Sequence, residues 1–377
     1  MKYIALKDVC RINMGQSPES SSYNENGDGI PFFQGNADFG ERYPVTRIWC
    51  NAPTKTASAG DILISVRAPI GALNYAREEC CIGRGLAAIT PDSSKFSTEF
   101  IYWLLRGKNA ELNSKGTGST FKAIGRKVLE ETLIPAYGFE QQHGCAVNLE
   151  KVYAIIQMRK QELSKLDDLI KARFVEMFGD IIRNNKGWPQ YVFSDIATSR
   201  LGKMLDAKQQ TGKYKYPYLA NFNVQWFRFE LENLNEMDFN DADQVEFQLK
   251  DGDLLVCEGG EIGRCAVWHN EIQPCYFQKA LHRVRCNTDL VLPDYLARWF
   301  QYNCEHGGFA SIEGAKATIA HLPGAKLKML KVTVPPIDLQ ERFVFFVAQV
   351  DKSKVAVQKA LDEAQLLFDS LMQQYFG

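Results

Sequence analysis

Residues 140–178 read EQQHGCAVNLEKVYAIIQMRKQELSKLDDLIKARFVEMF, and this stretch decides the architecture. Leu149, Ile156, Leu163, Ile170 and Met177 recur every seven residues, and Val152 and Leu166 add the alternate position. Arg159 and Arg173 interrupt that alternate position. Neither Gly nor Pro occurs between Ala146 and Phe178, and Gly179 ends the run. The pattern predicts one long helix with a narrow apolar seam, which in water needs a partner helix. Roughly 35–38 residues at about 1.5 Å each span about 50–57 Å. A helix of that length in mid-chain reads as a spacer.

The chain then repeats itself with a period of about 190–200 residues, a domain duplication rather than a solenoid. Asp8-Val9 and Gly15 match Asp195-Ile196 and Gly202. Ile30-Pro31-Phe32-Phe33 matches Tyr216-Pro217-Tyr218-Leu219, and Gly60-Asp61-Ile62-Leu63-Ile64 matches Gly252-Asp253-Leu254-Leu255-Val256. Gly116 and Thr120 match Gly314 and Thr318, and Pro135 matches Pro335. Each half closes on a long helix ending in Phe-Gly, Phe178-Gly179 and Phe376-Gly377. In the second helix Phe343, Val350, Val357, Ala364 and Leu371 share one heptad position. Val347, Leu361, Phe368 and Tyr375 share the other, with Lys354 its polar member. Two matched seams in one chain predict that the helices pack on each other. Before each helix, short apolar runs such as 62–66 and 254–257 read as strands, and 96–106 and 293–302 as helices. The loops between them diverge, as in two copies of one scaffold that present different surfaces.

Composition excludes more than it assigns. The 377 residues are 45% hydrophobic and 24% charged, with a net charge of −1. No apolar run approaches the ~20 residues that cross a bilayer. The N-terminal MKYIALKDVC lacks a signal-peptide core, so the expected location is cytoplasmic, with no membrane partner. The ten cysteines are scattered without a CxxC, which suits reduced structural thiols. No metal is expected, because Cys275, His282, Cys304 and His306 lack the spacing of a zinc module. No phosphate loop, dinucleotide fingerprint, HExxH or GxSxG occurs, so neither cofactor nor catalytic residue is assigned. Charge is segregated, however. Arg106 to Lys127 holds six basic residues against one acid, and Gly314 to Lys331 four lysines and no acid. Such segregation suits a polyanion even in a neutral protein, and equally a solvated face.

Two further signatures recur near these basic stretches. The first half carries Gly116-Thr117-Gly118-Ser119-Thr120-Phe121-Lys122-Ala123-Ile124, then Leu133-Ile134-Pro135. Its helix closes on Leu166-Asp167-Asp168-Leu169-Ile170-Lys171-Ala172-Arg173-Phe174-Val175-Glu176-Met177-Phe178-Gly179. The second half keeps Gly314, Thr318, Pro335 and Tyr375-Phe376-Gly377. In these features the whole chain resembles the DNA-specificity (S) subunit of type I restriction–modification systems. The resemblance implies a mixed α+β chain (α/β in each half) with pseudo-twofold duplication. Two target-recognition domains, 1–139 and 180–338, would be separated by antiparallel coiled-coil helices, 140–179 and 339–377. It implies binding of double-stranded DNA with a bipartite target, and docking of two modification methyltransferase subunits. A restriction motor-endonuclease subunit can join that assembly. Methyl donor, ATP and magnesium would belong to the partners.

The residues themselves nominate DNA contacts by chemistry. Lys115, Thr117, Ser119, Thr120, Lys122 and Arg126 offer cations and hydroxyls beside glycines that admit a phosphate. Ser119 or Thr120 can equally be a helix N-cap. Lys316 and Thr318 take the corresponding place in the second half. Gln34 and Asn36 follow the Pro31 strand, and Asn221 and Asn223 the Pro217 strand. Arg67 and Arg264 lie near the Ile-Gly turns. Asn and Gln can pair bidentately with adenine, and Arg with guanine, while a loop hydrogen bond or a surface ion pair explains the same residues. Two other readings stay open on residues alone: a nuclease with an unrecognised site, and a coiled-coil interaction protein without a DNA role.

Overall fold

The computed structural model describes residues 2–118, 122–206, 210–310 and 321–377. Two compact units result: unit 1 is Met1–Glu162 with Val357–Gly377, and unit 2 is Leu163–Ala356. No helix among the described residues is long and apolar enough to cross a membrane.

Unit 1 is built on a four-stranded antiparallel sheet in the order Cys10–Met14, Leu86–Pro91, Ile62–Ser65, Leu73–Tyr75. The central strands are buried on both faces, which explains their continuous apolar runs rather than a two-residue alternation. One face meets the helix Thr98–Gly107, whose Phe100, Trp103 and Leu104 are fully buried. The opposite side carries Ile30–Phe33, paired in parallel with Cys80–Ile82. Tyr3–Ala5 pairs with Leu133–Pro135 and closes the unit at the foot of the long helix.

Unit 2 repeats this plan. Its sheet runs Ala197–Leu201, Leu281–Cys286, Leu254–Cys257, Cys265–Val267, again antiparallel throughout. The helix is Pro293–Glu305, the parallel pair Lys215–Leu219 with Tyr276–Phe277, and the closing ladder Gln190–Val192 with Lys331–Thr333. The ladders correct one sequence match. Pro135 occupies the place of Thr333, since Tyr3 pairs with Pro135 and Gln190 with Thr333. Gln142 and Gln340, both fully buried, confirm that register. Gln142 donates to the Lys95 and Tyr137 carbonyls and accepts from Ser97 N–H at 3.0 Å. Gln340 donates to the Leu290 and Pro335 carbonyls and accepts from Leu292 N–H at 2.9 Å. Each glutamine pins the start of a long helix to the loop that precedes the unit's own helix.

The two long helices are Phe139–Phe178 and Ile337–Phe376, 40 residues each. The first stops because Gly179 takes a positive φ of 74° and its N–H returns to the Val175 carbonyl at 2.8 Å. Within unit 1 the start of the first helix lies against the end of the second. Asn148 donates to the Tyr375 hydroxyl at 3.1 Å, and the rings of Tyr153 and Phe368 are 6.2 Å apart. Within unit 2 the ends are reversed: Phe174 and Phe178 each meet the Phe343 ring at 5.4 Å. Lys354 reaches Asp167 at 2.7 Å. Leu149, Ile156, Ile170, Val350, Val357 and Phe368 are buried, whereas Leu163, Met177, Leu361, Leu371 and Tyr375 are half-buried.

The heptad reading is incomplete in one respect. Phe174, not the neighbouring seam position Arg173, enters the unit 2 core, and its ring lies 5.8 Å from that of Tyr295. Ile170, Phe174 and Phe178 follow the i, i+4 spacing of a straight helix, because this half faces a globular core as well as a partner helix. Arg173 instead lies over Phe346 at 5.6 Å and bonds Glu176 at 2.7 Å.

Candidate nucleic-acid interface

In unit 1 the parallel strand Ile30–Phe33 ends in a 3-10 turn, Asn36–Asp38. The Asp38 carboxylate accepts from the backbone N–H groups of Gln34 and Gly35, at 2.7 and 3.3 Å. That cap turns Gln34 and Asn36 outward into a shallow depression shared with Arg67 and Arg84. Arg67 enters because it pairs with Ala123, and Ala123 pairs in turn with Thr117 through bonds of 3.0 and 2.9 Å. Ala68 N–H donates to the Lys122 carbonyl at 3.0 Å. The fold therefore joins Gln34, Asn36, Arg67, Thr117 and Lys122, which the sequence scatters over three segments. Arg84 was not singled out by residue chemistry. A lone cation between Gly83 and Gly85 is the signal that could have found it.

Lys115 and Arg126 stand apart, tied to Glu111 at 2.6 Å and to Glu130 at 3.5 Å. Both pairs are exposed and thus weak, so a phosphate can displace the carboxylate. Ser119, Thr120, Lys316 and Thr318 lie outside the described residues. The next described helix begins at Arg126 with Gly125 at its N-cap.

Unit 2 uses the same frame differently. Asn221–Asn223 forms the equivalent 3-10 turn. Asn223 is 2% exposed, accepts from Ala220 N–H and donates to the Glu230 carbonyl, both at 2.9 Å. It does the work of Asp38 and presents no edge to a ligand, which corrects its nomination as a contact. Asn221 donates to the Gly259 carbonyl at 2.9 Å, and its side-chain oxygen accepts from Arg264 at 3.1 Å. Arg264 and Arg67 are not equivalent. Arg67 faces Ala123, whereas the matching bridge in unit 2 joins Gly259 to His321.

Other chemistry is quiet. Burial pushes the Cys10, Cys80 and Cys275 thiols up to about 12, so they are neutral and unreactive near pH 7. His282 is buried with a ring nitrogen 2.9 Å from the Leu322 carbonyl. No group of metal-ligating side chains occurs among the described residues.

The model of the type I restriction modification DNA specificity domain matches residues 1–167 and 185–364. A Methanocaldococcus jannaschii protein named as a type I restriction enzyme MjaX specificity subunit is 41% identical over 157 residues, 42% of this chain. That match spans only 37% of the relative's own length. The EcoBI specificity subunit of Escherichia coli is 20% identical over 413 aligned residues, 98% of this chain and 83% of that protein. The fold is similar to that of the type I restriction-modification S subunit from M. genitalium, with a TM-score of 0.60 at 14% identity. That likeness covers 100% of this chain and 96% of the other.

Proposed function

The chain belongs to the type I restriction modification DNA specificity family, and from that membership we propose that it is the sequence-reading subunit of such a complex. One observation carries the reading. The same sheet, helix and closing ladder are built twice, and the specificity-domain model matches both copies. Each half reads one part of a bipartite target. The first does so with Gln34, Asn36, Arg67, Thr117 and Lys122, and the second with Asn221 and the basic stretch that holds Lys316 and Thr318, while Arg264 braces Asn221. In functional terms 1–139 and 180–338 are the readers, and 140–179 and 339–377 the spacer helices. Base edges are read by side chains in a groove while phosphate contacts fix the register. A rigid helix pair then converts its length into a number of unread base pairs.

The chain performs no chemistry of its own. Two methyltransferase subunits dock on the helices, and a restriction subunit can join them in the cytoplasm. Exposed apolar residues on the helices, among them Met158, Phe345, Val355 and Leu366, suit such docking.

Methylome sequencing of a host carrying this gene and its neighbouring methyltransferase tests the reading. The expected result is one bipartite methylated motif with a fixed gap. Removal of one heptad from 141–178, with a matching deletion in 341–376, is expected to change that gap. An unchanged gap would defeat the ruler, and absence of any motif the whole reading. Purified chain that alone cleaves or methylates DNA would overturn its non-catalytic role.

A further inference from the structure

The duplicated frame allows a question that neither half answers alone: which side chain does it present twice? Most exposed polar positions differ between the units. Arg67 corresponds to Gly259, and Gln34 adjoins a turn whose counterpart begins at Ala220. One position passes. Between the parallel strand and the central sheet strand of each unit lies a tight turn of three residues. It is Gly83-Arg84-Gly85 in unit 1 and Gln278-Lys279-Ala280 in unit 2.

The two turns are held by the same bonds. Leu86 N–H returns to the Gly83 carbonyl at 3.0 Å, and Leu281 N–H to the Gln278 carbonyl at 3.2 Å. The Gly85 carbonyl accepts from Val66 N–H at 2.9 Å, and the Ala280 carbonyl from Glu258 N–H at 2.9 Å. Gly83 N–H donates to Phe33 and Gln278 N–H to Leu219. Beneath each turn sits a glycine whose N–H caps the next strand, Gly15 to Leu86 and Gly202 to Leu281. A Cβ on Gly15 would collide with the Gly83 carbonyl, and one on Gly202 with that of Gln278. This explains why Gly15 and Gly202 match in sequence. A backbone fixed on every side presents its tip side chain in one place.

Both tips are exposed cations. No ion pair joins either to another described residue. Arg84 lines the depression that holds Gln34, Asn36 and Arg67. The Lys279 turn adjoins Gly259 and Asn221 through the Glu258 to Ala280 bond.

We propose that Arg84 and Lys279 are equivalent DNA phosphate contacts, one on each unit, which seat the duplex while the neighbouring unlike residues read bases. A split target demands that base-reading residues differ between the units, whereas the phosphate backbone is the same under both. The recurrent cation therefore suits the invariant ligand. Arg for Lys is acceptable at a single phosphate, where a point charge suffices, but not at a bidentate guanine contact.

This rests on the DNA-recognition reading, and its test separates the two. The intact complex with its methyltransferase is titrated with a duplex bearing the methylated site and with an unrelated duplex, across a salt series. Arg84→Ala and Lys279→Ala are each expected to weaken both duplexes by one common factor, about fivefold at physiological salt. Each should also lower the slope of log K against log salt by about 0.9. Arg84→Lys and Lys279→Arg should retain slope and affinity. Weaker binding of the specific duplex alone would make these residues base readers and overturn the proposal. An unchanged slope in both Ala variants, with thermal melting unaltered, would also overturn it. If the unmutated complex binds neither duplex, the recognition reading itself falls and takes this inference with it.

Discussion

Asn36 and Asn223 sit in the same 3-10 turn of the two units, two positions apart, and their fates are opposite. Asn36 opens its turn and stands half-exposed beside Gln34 and Arg67. Asn223 closes its turn, buried, with its amide spent on Ala220 and Glu230. Unit 1 gives the closing role to Asp38 instead. Arg67 and Arg264 differ in the same way, one exposed at the depression and the other folded onto Asn221. Residue type is alike in each pair, and both members lie near the same strand or turn of their unit. Which member could meet a ligand was decided by which polar backbone groups the turn left to be satisfied.

The largest effect should come from what the units share, the seat of a long helix in a core. Phe343 is fully buried and touches Phe174 and Phe178 edge-on. Phe343→Ala is expected to cost about 3–5 kcal/mol. Hydrogen exchange should quicken first in 163–356. Equal quickening in 1–118 would mean that the units unfold as one body and that their comparison as separate cores is wrong.

Next comes the asparagine contrast itself. Asn223→Leu leaves Ala220 N–H and the Glu230 carbonyl without partners, at a cost of about 2–4 kcal/mol by denaturant melting. Asn36→Ala should change stability by less than about 0.5 kcal/mol while altering the methylated motif in its first half. A stable Asn223→Leu variant with a changed motif would reverse the assignment and make the buried residue a reader.

Period and composition made the frame legible, but not the tips. The seven-residue seam, the Phe-Gly ends and the Gly-Asp-Ile-Leu match foretold two long helices and two copies of one sheet. Those signals come from burial, which constrains every strand and helix turn. The register error at Pro135 arose because proline was matched by identity, whereas buried Gln142 and Gln340 carry the equivalence by hydrogen bonding. Phe174 escaped because a heptad count looks only for a partner helix. Arg84 escaped because a lone cation in a loop has no period. Its meaning appears only when Gly15 is seen packed beneath it.

The smallest effect is a difference in acid response. The strands Leu86–Pro91 and Leu281–Cys286 are equivalent, and Ala87 of the first occupies the place of His282 in the second, opposite Ile64 and Val256. Burial pulls the His282 pKa below its ordinary value. Near pH 7 the folded ring is therefore neutral, with Nε2–H donating to the Leu322 carbonyl at 2.9 Å. The unfolded chain binds a proton near pH 6.5 that the folded one resists. Stability from this group is thus full above about pH 6.5 and is lost as pH falls below it, at no more than about 1.4 kcal/mol per pH unit. Carboxylates that titrate lower affect both units, so the test is differential. Between pH 7.5 and 5.5, amide exchange in Leu281–Cys286 should quicken relative to Leu86–Pro91. His282→Gln, which keeps a donor for Leu322 but cannot titrate, should abolish that difference while leaving the rest of the acid response in place. Persistence of the difference in His282→Gln would move its source to another group of unit 2.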